Sequence, residues 1–204
     1  MTSNRCKKQG GFTLIELVIS VLVLAILTSL ALPSFRDFMR RNAIAARSNE
    51  LLGDVRYARD TASTRNIIIS MCASNNAGNA IPTCSGDGKF EAGWLIYIAT
   101  TSGQVFDGTQ ANLIKVNQGA ADVSIRSNAT QIISFDQRGA SVSGAPALIV
   151  CSKRPSDTIG SSNPRTPGRR LDVQPSGRSA LTPIASAVDE SSAQGLCTPT
   201  VATP

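Results

Sequence analysis

The sequence predicts an α+β chain in which a long N-terminal helix precedes a β-rich head. Three observations carry that prediction. Residues 13–32 form an apolar run of about twenty residues, the length a helix needs to cross the hydrocarbon of a bilayer. An apolar stripe with helical spacing follows, at Ile44, Leu51, Val55, Ala58 and Ala62. After Arg65 the period changes to short strand-like runs separated by clusters of Gly, Asn, Asp and Ser. At 204 residues the chain has room for one globular domain and an appended element.

The elements are taken in chain order. Residues 1–11 are short and basic, with Arg5, Lys7 and Lys8. In the apolar run that follows, only Glu16 carries charge. A secretory signal would have a shorter apolar core and a small-residue exit, whereas this run ends in Leu32-Pro33, so its retention as a membrane-spanning helix over 12–33 is expected. Counting basic residues does not orient it, because Arg36, Arg40, Arg41 and Arg47 follow the run. Pro33 should kink the helix rather than end it, since helix-compatible residues continue to about Ser63, a span of roughly 75 Å at 1.5 Å per residue. Residues 34–65 should pack on the head through the apolar stripe, with Arg47, Asp54, Arg56 and Asp60 largely off it.

The head is predicted over 66–152, with strands at 66–72, 93–99, 112–117, 122–127, 130–136 and 147–152. In 93–99 apolar residues occupy both alternations, which marks it as a central strand buried on both faces. Residues 153–204 are rich in Arg, Pro and Ser, only 169–173 look strand-like, and the segment reads as a partly mobile tail.

Cys6 lies in the basic leader, which leaves Cys72, Cys84, Cys151 and Cys197 beyond the apolar run. An even number suits an oxidising compartment and two disulfides. Four cysteines permit three connectivities, and proximity along the chain favours Cys72 with Cys84 and Cys151 with Cys197.

Catalysis is not predicted. The chain has no histidine, which removes the commonest general base and metal ligand, and it carries no nucleophile elbow, phosphate loop or dinucleotide fingerprint. No metal site or cofactor is expected. The adjacent Asp189 and Glu190 read as solvated tail carboxylates. The net charge of +6 falls to about +3 without the three leader cations, so overall charge is a weak pointer to nucleic acid. Its distribution is more telling: Lys153, Arg154, Arg165, Arg169, Arg170 and Arg178 crowd a segment holding only Asp157 and Asp172. Arginines so placed can follow a phosphate backbone.

Gly11-Phe12-Thr13-Leu14-Ile15-Glu16-Leu17, after a basic leader and before an apolar helix, resembles the prepilin signature of type IV pilins and type II secretion pseudopilins. The resemblance implies that a prepilin peptidase cuts after Gly11 on the cytoplasmic side and methylates the new amino terminus of Phe12. The protein would then sit in the inner membrane as a single-pass subunit with its head in the periplasm. It also implies a partner for Glu16, whose charge is costly at membrane depth: the Phe12 amine of a neighbouring pilin.

Further on, Asn49-Glu50-Leu51-Leu52-Gly53-Asp54-Val55-Arg56-Tyr57-Ala58-Arg59, Gly93-Trp94-Leu95-Ile96-Tyr97 and Ile133-Ser134-Phe135-Asp136-Gln137-Arg138-Gly139 are similar to the FimT/GspH group of minor pilins and pseudopilins. That implies a long helix packed on two small antiparallel sheets, a pilin-like fold. Some FimT-like members bind DNA for natural transformation through a C-terminal G-R-x-R motif. Here Gly177-Arg178-Ser179-Ala180 matches it with Ala180 in place of the second arginine. Arg169 and Arg170 would compensate if their segment folds back beside Arg178, with Arg165 as a further candidate. Two functions follow as alternatives: a minor type IV pilin that contacts double-stranded DNA, or a pseudopilin of type II secretion that does not.

Overall fold

The computed structural model describes residues 12–128 and 132–199, with the side chains at 30, 31 and 33 left aside. Gly11, the leader 1–11 with Cys6, and the start of the strand expected at 130 lie outside the described residues.

Helix α1 spans Leu14–Arg65. Its N-terminal apolar stretch has a mean hydropathy of 2.6 over eighteen residues with no burial inside the protein, so it is long and apolar enough to cross a membrane. Pro33 falls within the helix. The chain divides into two compact units, 1–38 and 39–204.

In the second unit the C-terminal part of α1 meets eight strands. They are β1 (Ile68–Ala73), β2 (Gly93–Ala99), β3 (Leu113–Gln118), β4 (Val123–Ser127), β5 (Ile132–Phe135), β6 (Ala147–Ser152), β7 (Arg169–Val173) and β8 (Ser179–Pro183). They form two four-stranded antiparallel sheets, β3-β2-β1-β5 and β4-β6-β7-β8. The predicted α+β architecture is thus present, and β2 lies inside its sheet with both faces buried.

One core joins the helix to both sheets. Ile44, Leu51, Val55, Ala58 and Ala62 are all buried, and they pack with Met71, Trp94, Ile133, Leu148, Leu171 and their neighbours. Asp54 departs from the sequence reading: it is buried, not solvated off the stripe. Burial is tolerated because its carboxylate is fully engaged, accepting from Trp94 Nε1 at 2.8 Å and Asn117 Nδ2 at 3.0 Å and pairing with Lys115 Nζ.

Each sheet also buries its outer face. On the first sheet Leu95, Tyr97 and Phe106 pack with Cys72 under the loops, and Tyr97 donates its hydroxyl to Gln104 O at 2.6 Å. On the second, Ile149 and Cys151 pack with Cys197, Ile159 and Ile184. A disulfide lies in each outer layer, Cys72–Cys84 and Cys151–Cys197, with Cα separations of 5.6 and 6.1 Å.

The segment beyond Lys153 contains, as β7, the strand expected at 169–173, but is otherwise more ordered than the tail expected of it. It supplies β7, β8 and the short helix α2 (Glu190–Gly195), which the Asp189 side chain caps by accepting from Ser192 N at 2.8 Å. Glu190 pairs with Arg154. Composition misled here because the ordering interactions are non-local: two strands reach a sheet whose other members lie far back in the chain, and Cys197 bonds to Cys151.

Candidate functional site

The N-terminal site begins at Phe12, which is 81% exposed, one residue before the Thr13 whose Oγ1 accepts from Glu16 N at 3.3 Å. Thr13 thereby caps the first turn of α1. The Glu16 side chain is exposed on the apolar helix and, among the described residues, its carboxylate has no ion-pair partner. Gly11, the residue before the expected cut, lies outside the described residues.

Four of the C-terminal candidates, Arg169, Arg170, Gly177 and Arg178, sit on the β7–β8 hairpin. Arg169 pairs with Pro183 and Val173 with Ser179, so the two strands fold back on each other. The register, however, does not bring Arg169 and Arg170 beside Arg178. Arg170 lies opposite Thr182, near the open end of the hairpin, whereas Arg178 is at its turn. Alternation along β7 also sends the half-buried Arg169 to the core side with Leu171 and Val173, and the exposed Arg170 to the opposite side with Asp172. Arg170 Nε is bonded to Asp172 Oδ1 at 2.6 Å. Ala180, where the motif has its second arginine, lies directly opposite Asp172. Arg165 is elsewhere, in a turn whose Asn163 side chain accepts from its backbone N–H at 3.1 Å.

Gly177 must be glycine for two reasons. Its φ of +78° is in the left-handed region, and a Cβ there would run into the Gly139 carbonyl and the Arg59 side chain. Arg59 Nε donates to that same carbonyl at 3.1 Å, so the end of α1, the turn after β5 and the hairpin turn meet at one point. The 136–140 turn is itself held by Asp136, whose Oδ1 accepts from the backbone N–H groups of Arg138 at 2.9 Å and Ala140 at 2.8 Å. Burial raises the Asp136 pKa, but those backbone donors and the Arg138 charge outweigh it and hold the carboxyl below the usual range.

Around this junction opens a cleft of about 470 Å³, with Arg56, Arg59 and Asp60 of α1 on one side and Asp172, Arg178 and Ser179 of the hairpin on the other. Arg178 is exposed and, among the described residues, forms no ion pair. Arg56 and Arg59 are site residues that the sequence reading did not single out. Their i,i+3 spacing places them on one face of the helix, a signal the sequence does contain. Chemically the cleft offers guanidinium donors and open backbone to an anion, and it contains no nucleophile–base pair.

Comparison with known proteins places this arrangement. Residues 47–177 match the family described as type II transport protein GspH, and residues 6–32 match the prokaryotic N-terminal methylation motif. Among solved structures, the type IV minor pilin FimU of Pseudomonas aeruginosa PAO1 in a P21 crystal form is 21% identical with a TM-score of 0.51, covering 73% of this chain and 98% of that one. The same protein in a P65 form is 19% identical with a TM-score of 0.49, covering 70% and 98%. At such identity the likeness concerns the fold. No protein of curated function matches. With its helix and two-sheet head covered from residue 47 to the hairpin turn by the one match, and its N-terminal segment by the other, the chain belongs to the GspH family of minor pilins and pseudopilins.

Proposed function

We propose that the protein is a minor type IV pilin that assembles into a pilus and contacts DNA with its head. Prepilin peptidase cuts after Gly11 and methylates Phe12, residues 12–33 span the inner membrane, and the head stands in the periplasm, where its two disulfides are stable. Glu16 meets the Phe12 amine of a neighbouring pilin, which relieves the cost of a lone carboxylate at membrane depth. The observation that carries the assembly role is the apolar N-terminal segment, unburied within its own chain and charged only at Glu16. Mass spectrometry of the membrane-extracted protein should give a mature chain starting at N-methylated Phe12. A leader retained in cells with active peptidase would refute the assignment.

The DNA contact rests on the unpaired guanidinium of Arg178 facing Arg56 and Arg59 across the cleft. Arg170, tied to Asp172, is a weaker contributor, and Arg169 and Arg165 contribute least. With no aromatic residue in 153–204 or lining the cleft to stack on bases, binding is phosphate-dominated and sequence-independent. The full-length mature protein in detergent should bind duplex DNA with steep salt dependence. Arg178→Gln should lower the slope of log K against log salt by about one unit, as expected when one phosphate contact is lost. An unchanged slope would remove Arg178 from the interface.

A second reading, a pseudopilin of type II secretion without DNA contact, is favoured by one feature: Ala180 faces Asp172 where the DNA-binding motif has arginine. The same titration separates the two, because on this reading no salt-dependent DNA binding occurs.

A further inference from the structure

Of the four sheet edges in the head, three are blunted. On β5, Ser134 donates its N–H to Ser143 Oγ and accepts from Val142 N. On β4, Ile125 N and Ser127 N are taken by Glu91 Oε2 and Gly88 O. β3 carries a register shift opposite Ile96 and Tyr97, and Gln118 O accepts from Arg47.

The edge formed by β8 is open. Its hydrogen bonds to β7 run through alternate residues, fixed by Gln174 N to Arg178 O at one end and Ile184 N to Gly168 O at the other. Arg178, Ala180 and Thr182 therefore point their backbone groups inward. Ser179 and Leu181 turn N–H and C=O outward, and Pro183 adds a C=O without an N–H. Among the described residues none of these outward groups has a partner. Ser179 and Ala180 also border the cleft whose opposite side carries Arg56 and Arg59.

We propose that β8 is a strand-addition site: an extended, carboxylate-bearing segment of a neighbouring subunit pairs with the outward backbone of Ser179 and Leu181 and sets its acidic side chains against Arg56 and Arg178. Backbone pairing supplies the affinity and the flanking side chains the selectivity. The charges favour acid over base: three arginines face Asp60 and Asp172, and Asp172 is already held by Arg170. Pro183 ends the pairing, because it offers no donor beyond Leu181. That the segment belongs to a neighbouring subunit rests on the filament reading above; the strand site itself does not.

The test uses the full-length mature protein in detergent and a fluorescent ten-residue peptide alternating valine and glutamate, with a twin carrying lysine for glutamate and a duplex oligonucleotide beside it. The glutamate peptide should bind at least tenfold more tightly than the lysine peptide and should slow amide exchange at Ser179 and Leu181. Ser179→Pro removes an outward N–H without touching the β7 ladder, and should weaken the glutamate peptide at least tenfold and by more than it weakens the duplex, whose binding needs no strand pairing. Arg56→Gln should weaken the peptide several-fold. Unprotected Ser179 and Leu181 amides, equal binding by Ser179→Pro, or no binding of the glutamate peptide would each overturn the proposal. The exchange measurement on the unaltered chain decides it alone should Ser179→Pro fail to fold.

Discussion

The two sheets of the head solve one problem in different ways. Each has an inner face on the shared core and an outer face that loops must cover, and each cover is pinned by a disulfide. On the first sheet the pin is local, joining Cys72 to Cys84 twelve residues on. On the second it joins Cys151 to Cys197 across 46 residues, and nearly everything between them is the cover and the two edge-side strands. The first sheet is therefore held mainly by its own packing and by the helix, whereas half of the second depends on a long closure.

Opening the disulfides should show that asymmetry most strongly. By loop-closure entropy, a 46-residue closure is worth about 4 kcal/mol and a 12-residue closure about 3 kcal/mol. Replacing Cys151 and Cys197 by alanine should thus lower the unfolding free energy more than replacing Cys72 and Cys84. It should also expose 185–199 to protease while β1 and β2 stay protected from amide exchange. Equal losses, or loss of protection throughout the head, would show that the two covers are one cooperative unit.

The second contrast is polar. The first sheet meets α1 through Asp54, buried with Trp94, Asn117 and Lys115 around it, and the carboxylate in turn neighbours Glu50, which accepts from Asn117 at 2.8 Å. Asp54→Ala strands the Trp94 and Asn117 donors and should cost roughly 3 kcal/mol, seen as a lower urea midpoint. Asp54→Asn should cost less, since an amide oxygen still accepts from Trp94.

How much of this was legible follows from how local each determinant is. The helix, its buried stripe and β1 to β6 are written in short-range periodicity, and the strand runs read from it lie within a few residues of those observed. β8 has no such pattern: Ser179, Ala180, Leu181, Thr182 and Pro183 form a strand because β7 pairs with them, not because of their own propensities. Asp54 was misread for the same reason, since its partners come from β2 and β3 rather than from its own helix. At the candidate site, Gly177 and Arg178 stood out in the sequence, whereas Arg56 and Arg59 came to the hairpin only through the fold.

Where the two sheets meet at the end of α1, the junction should be sensitive to one atom group. Gly177→Ala adds a methyl at a positive φ and against the Gly139 carbonyl, so about 1 to 3 kcal/mol of stability should be lost. Gln174 N to Arg178 O and Gly177 N to Gln174 O hold the turn in place, so displacement should propagate to Arg178 and weaken any anion bound there. An alanine variant as stable as the parent would mean that the hairpin turn stands clear of Gly139 in solution.

The smallest effect concerns acid. The Asp136 carboxyl is held below its ordinary value of 3.8 in the folded protein, so the folded state binds its proton less readily than the unfolded chain does. Its contribution is therefore complete above the unfolded pKa and is lost as pH falls through that value and then through the lower folded one. Because the group is close to solvent, the loss should be a few tenths of a kcal/mol. It should appear locally, as faster exchange of the Arg138 and Ala140 amides as pH falls below about 4, after correction for the intrinsic rate. Asp136→Asn keeps an acceptor oxygen but no titrating proton, and should flatten that dependence while leaving the Arg59 to Gly139 bond in place. If the asparagine variant shows the same acid profile, the loosening originates elsewhere in the sheet, and Asp136 serves the turn by geometry rather than by charge.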